Sequence, residues 1–177
     1  MPRVLYIHGY ASSGNGHTAQ TLRELLGDRL ELIAPDFPAE PMPALAKAEA
    51  AVIGMDMVVA SSYGAFIALN LSHCVPTLLI NPCIYPSHEL PLLDTEVDAD
   101  IVACLKSMES QLFCKAAAKC SIMHAVFADN DELFSYKDEY LKYYSNIYKV
   151  HGGHSLDYDT IKTTVVPLIE QLTHLMP

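Results

Sequence analysis

The sequence of 177 residues is poor in basic side chains: 11 lysines and arginines stand against 21 aspartates and glutamates, for a net charge of −10. The basic residues are also scattered, whereas binding to nucleic-acid phosphates requires clusters of them. No apolar run approaches the roughly 20 residues that a membrane-spanning helix needs. We therefore expect neither nucleic acid nor a membrane as a partner.

Patterns for disulfides, metal ions and export are missing as well. The five cysteines are odd in number, and none of them forms a CxxC pair. His151 and His154 form an H-x-x-H pair, but no H-E-x-x-H motif or carboxylate set at ligand spacing accompanies it. The first residues lead directly into a strand pattern, without the apolar core and cleavage site of a secretory signal. We expect reduced cysteines, no metal and a cytoplasmic location.

Short apolar segments alternate with helical patterns along the chain. Strands are predicted over residues 3–7, 30–34, 56–60, 77–81, 121–128 and 146–150. Helices are predicted over residues 18–26, 42–53, 64–71, 136–144 and 160–175, with Pro167 expected to delay or kink the last one. Most of the strands are apolar throughout, which is typical of strands that are buried on both faces of a parallel sheet.

This alternation predicts an α/β fold with about six mainly parallel strands in a three-layer αβα sandwich. The length fits a single domain over residues 1–177. Residues 83–120 interrupt the alternation, because they contain no convincing strand and have helical spacing over residues 100–119. We interpret this segment as a short helical insertion near one end of the sheet.

The segment most informative about function is residues 57–69, in which an apolar strand meets a short turn and an apolar helix follows at once. The turn resembles G-x-S-x-G, which holds a nucleophilic serine exposed at the carboxyl end of a strand. Ser62 occupies the serine position and Gly64 the second glycine, while Ala60 replaces the first. The alternative is an ordinary strand–helix junction at which Ser62 caps the helix.

A nucleophilic serine requires a base and an acid that orients the base, and in this architecture they follow in the order Ser, Asp or Glu, His. The fifth predicted strand leads to three candidate acids, Asp129, Asp131 and Glu132. We favour Asp131, because Asp129 is still attached to the strand end and has less freedom to turn toward an imidazole. The other two are interpreted as solvated loop residues or helix caps.

The sixth predicted strand leads to two histidines. We favour His154 as the base, because Gly152 and Gly153 give it a flexible approach to the cleft. His151 is interpreted as a packed or half-exposed residue at the end of its strand. Both the acid and the base should lie on the same side of the sheet as the serine, since parallel strands all end there.

The loop after the first strand predicts an oxyanion hole. Gly9 allows a close backbone approach, so that the backbone N–H groups of Tyr10 and Tyr63 are expected to face one point and to stabilise a negatively charged oxygen. His8 is interpreted as the donor of a structural hydrogen bond rather than as a base. From loop position alone, the substrate pocket is expected to include Ile84, Tyr85 and Leu112.

These residues resemble the α/β-hydrolase superfamily and, within it, the small bacterial YqiA-type esterases. The resemblance rests on the sequences LYIHGY at 5–10, SS at 12–13, ASSYG at 60–64, NP at 81–82, DELF at 131–134 and GGH at 152–154. It implies a compact, mainly parallel sheet and the hydrolysis of acyl esters or thioesters. Carried over, Ser62 is the nucleophile, His154 the base and Asp131 the orienting acid, with Tyr10 and Tyr63 as the oxyanion donors.

We therefore expect a serine esterase or thioesterase that acts on a small-molecule acyl substrate and needs no cofactor. Two alternatives stay open: a peptide or amide hydrolase with the same triad, and a binding module that kept the fold and lost catalysis. Ala60 is the feature that favours the binding module.

Overall fold

The computed structural model describes residues 1–114 and 116–174. Six of their segments form one sheet, in the order β2-β1-β3-β4-β5-β6, and every neighbouring pair is parallel. The strands are β1 (Arg3–Ile7), β2 (Glu31–Ile33), β3 (Met57–Ser61), β4 (Thr77–Ile80), β5 (Met123–Ala128) and β6 (Asn146–Val150). The predicted α/β class is confirmed, and each predicted strand is present.

Helices cover both faces of this sheet. They are α1 (His17–Leu26), α2 (Pro41–Ala51), α3 (Tyr63–Asn70), α4 (Pro86–Leu93), α5 (Ala99–Glu109), α6 (Ala116–Lys119), α7 (Lys137–Tyr140), α8 (Tyr158–Thr160) and α9 (Val166–His174). Within the described part of the chain, none is long and apolar enough to cross a membrane.

The central strands β3 and β4 are largely apolar and buried because each face of the sheet has its own core. Along β1, Leu5 and Ile7 belong to the cluster that packs against α2, α3 and α5. Val4 and Tyr6 point to the opposite face and belong to the cluster built with α1 and α9. Successive side chains of a strand point to opposite faces, so a strand covered on both sides shows no polar alternation.

Three helices, α4 to α6, lie between β4 and β5, where the sequence predicted a short helical insertion with helical spacing over residues 100–119. Asp98 begins α5, and its carboxylate accepts a hydrogen bond from the N–H of Ile101 at 2.8 Å. The helix ends at Glu109, and Lys115 lies outside the described residues. Helix α4 comes directly after β4 and therefore lies close to the carboxyl edge of the sheet.

The sequence predicted that Pro167 would delay or kink the C-terminal helix. The structure shows no delay. Helical structure begins earlier, at Tyr158, and passes through a π-helical turn over Ile161–Val165 before α9. In that turn the N–H of Val166 donates to the carbonyl of Ile161, one residue further back than in an α-helix. The widened turn directly precedes the proline, which lacks an N–H group. Leu175, at the end of the predicted helix, lies outside the described residues.

The strand order creates a crevice at one edge of the sheet. The chain moves from β1 outward to β2 on one side and returns to β3 on the other side of β1. Connections from β1 and β3 therefore leave in opposite directions, which opens a cleft at the carboxyl ends of these two strands. The loop containing Gly9 and Tyr10 follows β1, and Ser62 follows β3.

Candidate active site

Ser62 occupies a strained turn between β3 and α3. Its φ of 52° and ψ of −121° lie in a region that residues with a Cβ atom rarely adopt. Strain of this kind persists where the surrounding structure enforces it, and it is common at functional sites. Here the turn presents the Ser62 side chain to the crevice rather than to the helix, since its hydroxyl makes no capping hydrogen bond to α3. The helix-cap alternative therefore does not account for Ser62.

The turn depends on a close approach of α3 to β1. A Cβ atom added to Gly64 would overlap the carbonyl oxygens of Ile7 and His8. Only glycine therefore fits at this position without displacing the helix. Ala60, by contrast, is fully buried and lies in register with Ile7, so the sheet accommodates its methyl group where the motif usually has glycine.

Hydrogen bonds join Ser62, His154 and Asp131 into one chain. Ser62 Oγ lies 3.0 Å from His154 Nε2, and His154 Nδ1 lies 2.8 Å from Asp131 Oδ2. With Nδ1–H donating to the carboxylate, Nε2 is left unprotonated and accepts the hydrogen bond from the serine hydroxyl. Such an arrangement moves the serine proton to the imidazole when Ser62 attacks an electrophile.

The Asp131 carboxylate is held firmly. Its side chain is 3% exposed, and its Oδ1 accepts hydrogen bonds from the backbone N–H groups of Leu133 and Phe134 at 2.9 and 3.1 Å. The Phe134 ring packs edge-on against the His154 imidazole, with 4.8 Å between ring centroids. The imidazole is 15% exposed and therefore reachable from the crevice.

The other two candidate acids contact different parts of the histidine loop, residues 151–156. Asp129 accepts hydrogen bonds from His151 Nδ1 at 3.0 Å and from the N–H of Gly152 at 3.1 Å. The bond from the His151 side chain lowers the pKa of the Asp129 carboxyl. Glu132 accepts from the backbone N–H of His154 at 2.8 Å, and this bond lowers the pKa of its carboxyl.

Asn81 is a buried residue, and its contacts in this site were not predicted from the sequence. It lies just after β4 with φ of 43°, and its Oδ1 accepts a hydrogen bond from the N–H of Ala128 at 2.8 Å. Its Nδ2 donates to the carbonyls of His154 at 2.8 Å and Gly153 at 3.3 Å. One amide therefore ties together the ends of β4 and β5 and the histidine loop. The sequence offered one signal, an asparagine directly after a buried strand.

The loop after β1 lies against Ser62. Gly9 begins a tight turn in which its carbonyl accepts from the N–H of Ser12 at 3.3 Å and Ala11 has φ of 52°. A Cβ atom on Gly9 would lie 3.3 Å from that of Ser62. The Tyr10 ring meets the Tyr63 ring edge-on, at 5.7 Å between centroids.

His8 makes its side-chain hydrogen bonds with backbone groups rather than with Ser62, His154 or Asp131. Its Nδ1–H donates to the Gly9 carbonyl, and its Nε2 accepts from the N–H of Phe37, both at 2.8 Å. Both ring nitrogens are thus used by backbone groups. The interpretation of His8 as a structural residue agrees with these contacts.

A cavity of about 430 Å³ opens at Ser62 and His154, and Tyr10 and Tyr63 also line it. Ile84, Tyr85 and Leu112 do not line it, so their assignment to the pocket is corrected. Ile84 and Leu112 are buried in the core on one face of the sheet, and the Tyr85 hydroxyl donates to Glu139 at 2.6 Å. Loop position could not separate inward-facing from outward-facing residues. Leu90 and Leu93 of α4 line the cavity instead.

No group of three or more histidine, cysteine or acidic side chains in the described ranges is arranged to hold a metal ion. The five cysteines form no disulfide with one another there. Cys83 is the one that lines the cavity, and burial raises the pKa of its thiol well above the ordinary value. A protonated thiol is a poor nucleophile.

A family model described as "Uncharacterised protein family (UPF0227)" matches residues 3–172. The sequence matches none of the curated proteins. Among solved structures, Est1E from Butyrivibrio proteoclasticus has a TM-score of 0.75 at 13% identity, over 98% of this chain and 88% of that one.

Two further solved structures share this fold. A monoacylglycerol lipase from Paleococcus ferrophilus has a TM-score of 0.72 at 11% identity, over 97% of this chain and 94% of that one. A putative hydrolase of the α/β superfamily from Xanthomonas campestris has a TM-score of 0.63 at 19% identity, over 98% of both chains. At these identities the likeness establishes a shared fold, which is that of the α/β hydrolases.

Proposed function

Since the chain belongs to UPF0227, the YqiA family, and has the α/β-hydrolase fold, we propose that it is a serine hydrolase of acyl esters or thioesters. The observation that carries this proposal is the hydrogen-bonded chain from Ser62 Oγ through His154 to Asp131, at 3.0 and 2.8 Å. A serine in this setting is a nucleophile because an adjacent base can take its proton.

In the first half of the reaction, Ser62 Oγ forms a bond to the substrate carbonyl carbon, and its proton passes to His154 Nε2. Asp131 stabilises the imidazolium that forms and keeps the ring oriented. The bond from the carbonyl carbon to the leaving group then breaks, and His154 gives its proton to the departing oxygen or sulfur. The products of this half are a free alcohol or thiol and an acyl-Ser62 ester.

In the second half, His154 takes a proton from water, and the resulting hydroxide attacks the acyl carbon. The bond to Ser62 Oγ breaks, the serine recovers its proton from His154, and a carboxylic acid is released. We assign the backbone N–H groups of Tyr10 and Tyr63 to the negatively charged oxygen in both halves. Such preorganised donors typically contribute about 3–4 kcal/mol to transition-state stabilisation.

The relatives support ester hydrolysis in particular. One of the structures that share the fold is a monoacylglycerol lipase, and another is bound to ferulic acid, a carboxylic acid. A site that releases carboxylic acids fits the chemistry derived above. Peptide and amide hydrolysis uses the same triad, and the test below separates the two.

The test is covalent labelling with a fluorophosphonate probe, which reacts with activated serines. We expect the wild-type protein to be labelled and Ser62→Ala to be unlabelled. Ser107→Ala is the matched control, because Ser107 is exposed on α5 and should leave labelling intact. Labelling that persists in Ser62→Ala would remove Ser62 as the nucleophile, and no labelling of the wild type would favour the binding module.

Substrates that share one acyl group then separate the reaction classes. We expect turnover of a butyrate ester or thioester and none of the matching butyramide. A reversed preference would make the protein an amide hydrolase with the same triad.

A further inference from the structure

The cavity at Ser62 has two chemically different sides. On the α1 face of the sheet it is lined by hydroxyl groups, because Tyr6 from β1 and Ser61 from β3 both point there. The Tyr6 hydroxyl lies 2.8 Å from Ser61 Oγ, and Thr18 of α1 also lines the cavity. Each hydroxyl has one donor and two acceptor positions, so this group of three retains capacity for a ligand.

The opposite side is mainly apolar, although Asp94, directly after Leu93, also lines the cavity and accepts a hydrogen bond from the Tyr10 hydroxyl at 2.8 Å. Leu90 and Leu93 of α4 line it, together with Leu133 and Phe134 from the loop that follows β5. Leu90 is 2% exposed, whereas Leu93 and Leu133 are 51% and 43% exposed and form the rim of the cavity. A hydrocarbon chain placed against these residues would cover apolar surface that water otherwise contacts.

The charged residues that line the cavity disfavour a phosphorylated leaving group. The described residues that line it include one carboxylate, Asp94, and no lysine or arginine. The whole chain also carries a net charge of −10. A leaving group that bears phosphates would therefore meet repulsion, with no lysine or arginine among these residues to pair with it.

We infer that Ser62 separates an acyl side from a leaving-group side, and that the substrates are esters of a neutral alcohol bearing several hydroxyl groups. The inference rests on the proposed function and narrows it. The leaving oxygen must reach His154 Nε2, and the residues after this histidine, Ser155 and Leu156, line the cavity. The Leu156 carbonyl lies 3.2 Å from Nε2 of His17 on α1, which places this part of the loop on the hydroxyl-bearing side.

The alcohol therefore departs toward Tyr6, Ser61 and Thr18, carrying the proton that His154 gives up. The acyl group stays bound to Ser62 against the leucines and Phe134 until water releases it. The polar side recognises the additional hydroxyls of the alcohol, while the apolar side binds the acyl chain.

The test compares three butyrates: 1-glyceryl butyrate, propyl butyrate and butyryl-coenzyme A. The first two differ only in the two extra hydroxyls of the alcohol, and the third carries a phosphorylated thiol. We expect kcat/KM for the glyceryl ester to exceed that for the propyl ester about tenfold or more, and the thioester to be the slowest of the three. Equal values for the two esters, or a fastest thioester, would overturn the inference.

The variant Tyr6→Phe tests whether the preference for the glyceryl ester depends on the polar side of the cavity. It should lower the ratio of glyceryl to propyl kcat/KM about three- to tenfold, because one hydroxyl of the group is lost. Tyr158→Phe is the matched control, since Tyr158 lies outside the cavity and its hydroxyl donates to Glu24 at 3.0 Å. If Tyr6→Phe does not fold, Thr18→Val removes a different hydroxyl from the same side of the cavity. A ratio that stays at the wild-type value in the folded variants would contradict the assignment.

Fluorophosphonate labelling keeps the two proposals apart. A protein that is labelled at Ser62 but shows no preference for the glyceryl ester is a serine hydrolase without this leaving-group site. A protein that is not labelled and cleaves none of the three substrates contradicts the proposed function itself.

Discussion

Asp129, Asp131 and Glu132 lie within four residues of one another, yet each carboxylate contacts a different part of the histidine loop. Asp131 reaches the imidazole of His154, Glu132 the backbone N–H of the same residue, and Asp129 the side chain of His151. The three carboxylates thus hold the loop through different groups. Of these contacts, the one from Asp131 is made with the imidazole that lies beside Ser62.

We predict that Asp131→Asn lowers kcat/KM for an acyl ester by a factor on the order of 10³ to 10⁴. The amide removes the negative charge that stabilises the imidazolium, and it can hold the ring in the wrong tautomer. Steady-state kinetics of ester hydrolysis measures the loss. Asp129→Asn is the control, because Asp129 contacts His151 rather than His154, and a larger loss in that variant would reassign the acid.

Glu132 is expected to act as a positioning residue for His154. We predict that Glu132→Ala lowers kcat about tenfold, because the His154 backbone N–H loses its partner and the imidazole is held less well. Glu132→Gln should recover most of this loss, since its amide oxygen still accepts the hydrogen bond. The two variants are compared by kcat, with Tm measured alongside. Equal activity of the Ala and Gln variants would show that the bond has no effect on the reaction.

The choice of Asp131 rested on a simple physical point, that a residue at a strand end has little freedom to turn. Nothing in the sequence predicted that Glu132 would accept a hydrogen bond from the His154 backbone N–H. Nor did it predict that the Asn81 side-chain amide would bind backbone groups of two different segments. Their partners are main-chain groups of a loop, and the sequence does not specify where such groups point.

At the scale of elements, the position of Ser62 depends on how closely α3 approaches β1. We predict that Gly64→Ala lowers the free energy of unfolding by about 3 kcal/mol or more, because its methyl group would overlap two backbone carbonyls that cannot move independently. Urea unfolding measures the loss. Gly27→Ala is the control: its φ of 51° is strained for alanine, but nothing lies within 4 Å, so about 1 kcal/mol is expected.

At position 60 the converse change, from alanine to glycine, removes a methyl group instead of adding one. We predict that Ala60→Gly retains fluorophosphonate labelling and lowers the free energy of unfolding by about 1–2 kcal/mol, from a lost buried methyl group and a more flexible strand. The reason is that Ala60 is fully buried and Ser62 already has the strained backbone of the turn. A tenfold gain in hydrolysis on restoring the glycine would show instead that the methyl group impairs the site.

Strands were easier to predict than the segment between β4 and β5. A strand that is buried on both faces is apolar along most of its length, as β1 is, and β1 has the predicted bounds. Between β4 and β5, a helical insertion was predicted from the helical spacing over residues 100–119, and within that range α5 ends at Glu109 and α6 follows. Helical spacing reports which residues face a core, and it does not report where short helices end.

At the scale of the whole molecule, the parallel sheet explains why residues far apart in sequence meet. Ser62 and His154 are 92 positions apart, yet each follows the carboxyl end of a strand in the same sheet. The sequence predicts this edge, because alternating strands and helices imply parallel pairing. It does not predict the width of the cavity or which residues of α4 enter it, since these depend on how the connection from β4 packs over the edge.

The pH dependence of stability tests how the histidine loop is attached to the molecule. The Asp129 hydrogen bond raises the pKa of His151 above 6.5, so the pair stabilises the fold fully below 6.5 and loses this contribution as pH rises through the raised value. The pKa of Asp129 is lowered below 3.8, so its part is present above 3.8 and is lost as pH falls through the lowered value. The pair therefore stabilises the fold most between the lowered pKa of Asp129 and the raised pKa of His151.

We predict that His151→Gln lowers Tm more at about pH 5.5 than at about pH 8, because the imidazole is charged only at the lower pH. The other acidic groups titrate in both proteins and cancel in the difference. The side chains of His151 and Asp129 are 83% and 57% exposed, so the effect should be small and should shrink at high salt. A Tm difference that is constant across this range would mean that the loop is attached by its backbone hydrogen bonds and by Asn81 rather than by this pair.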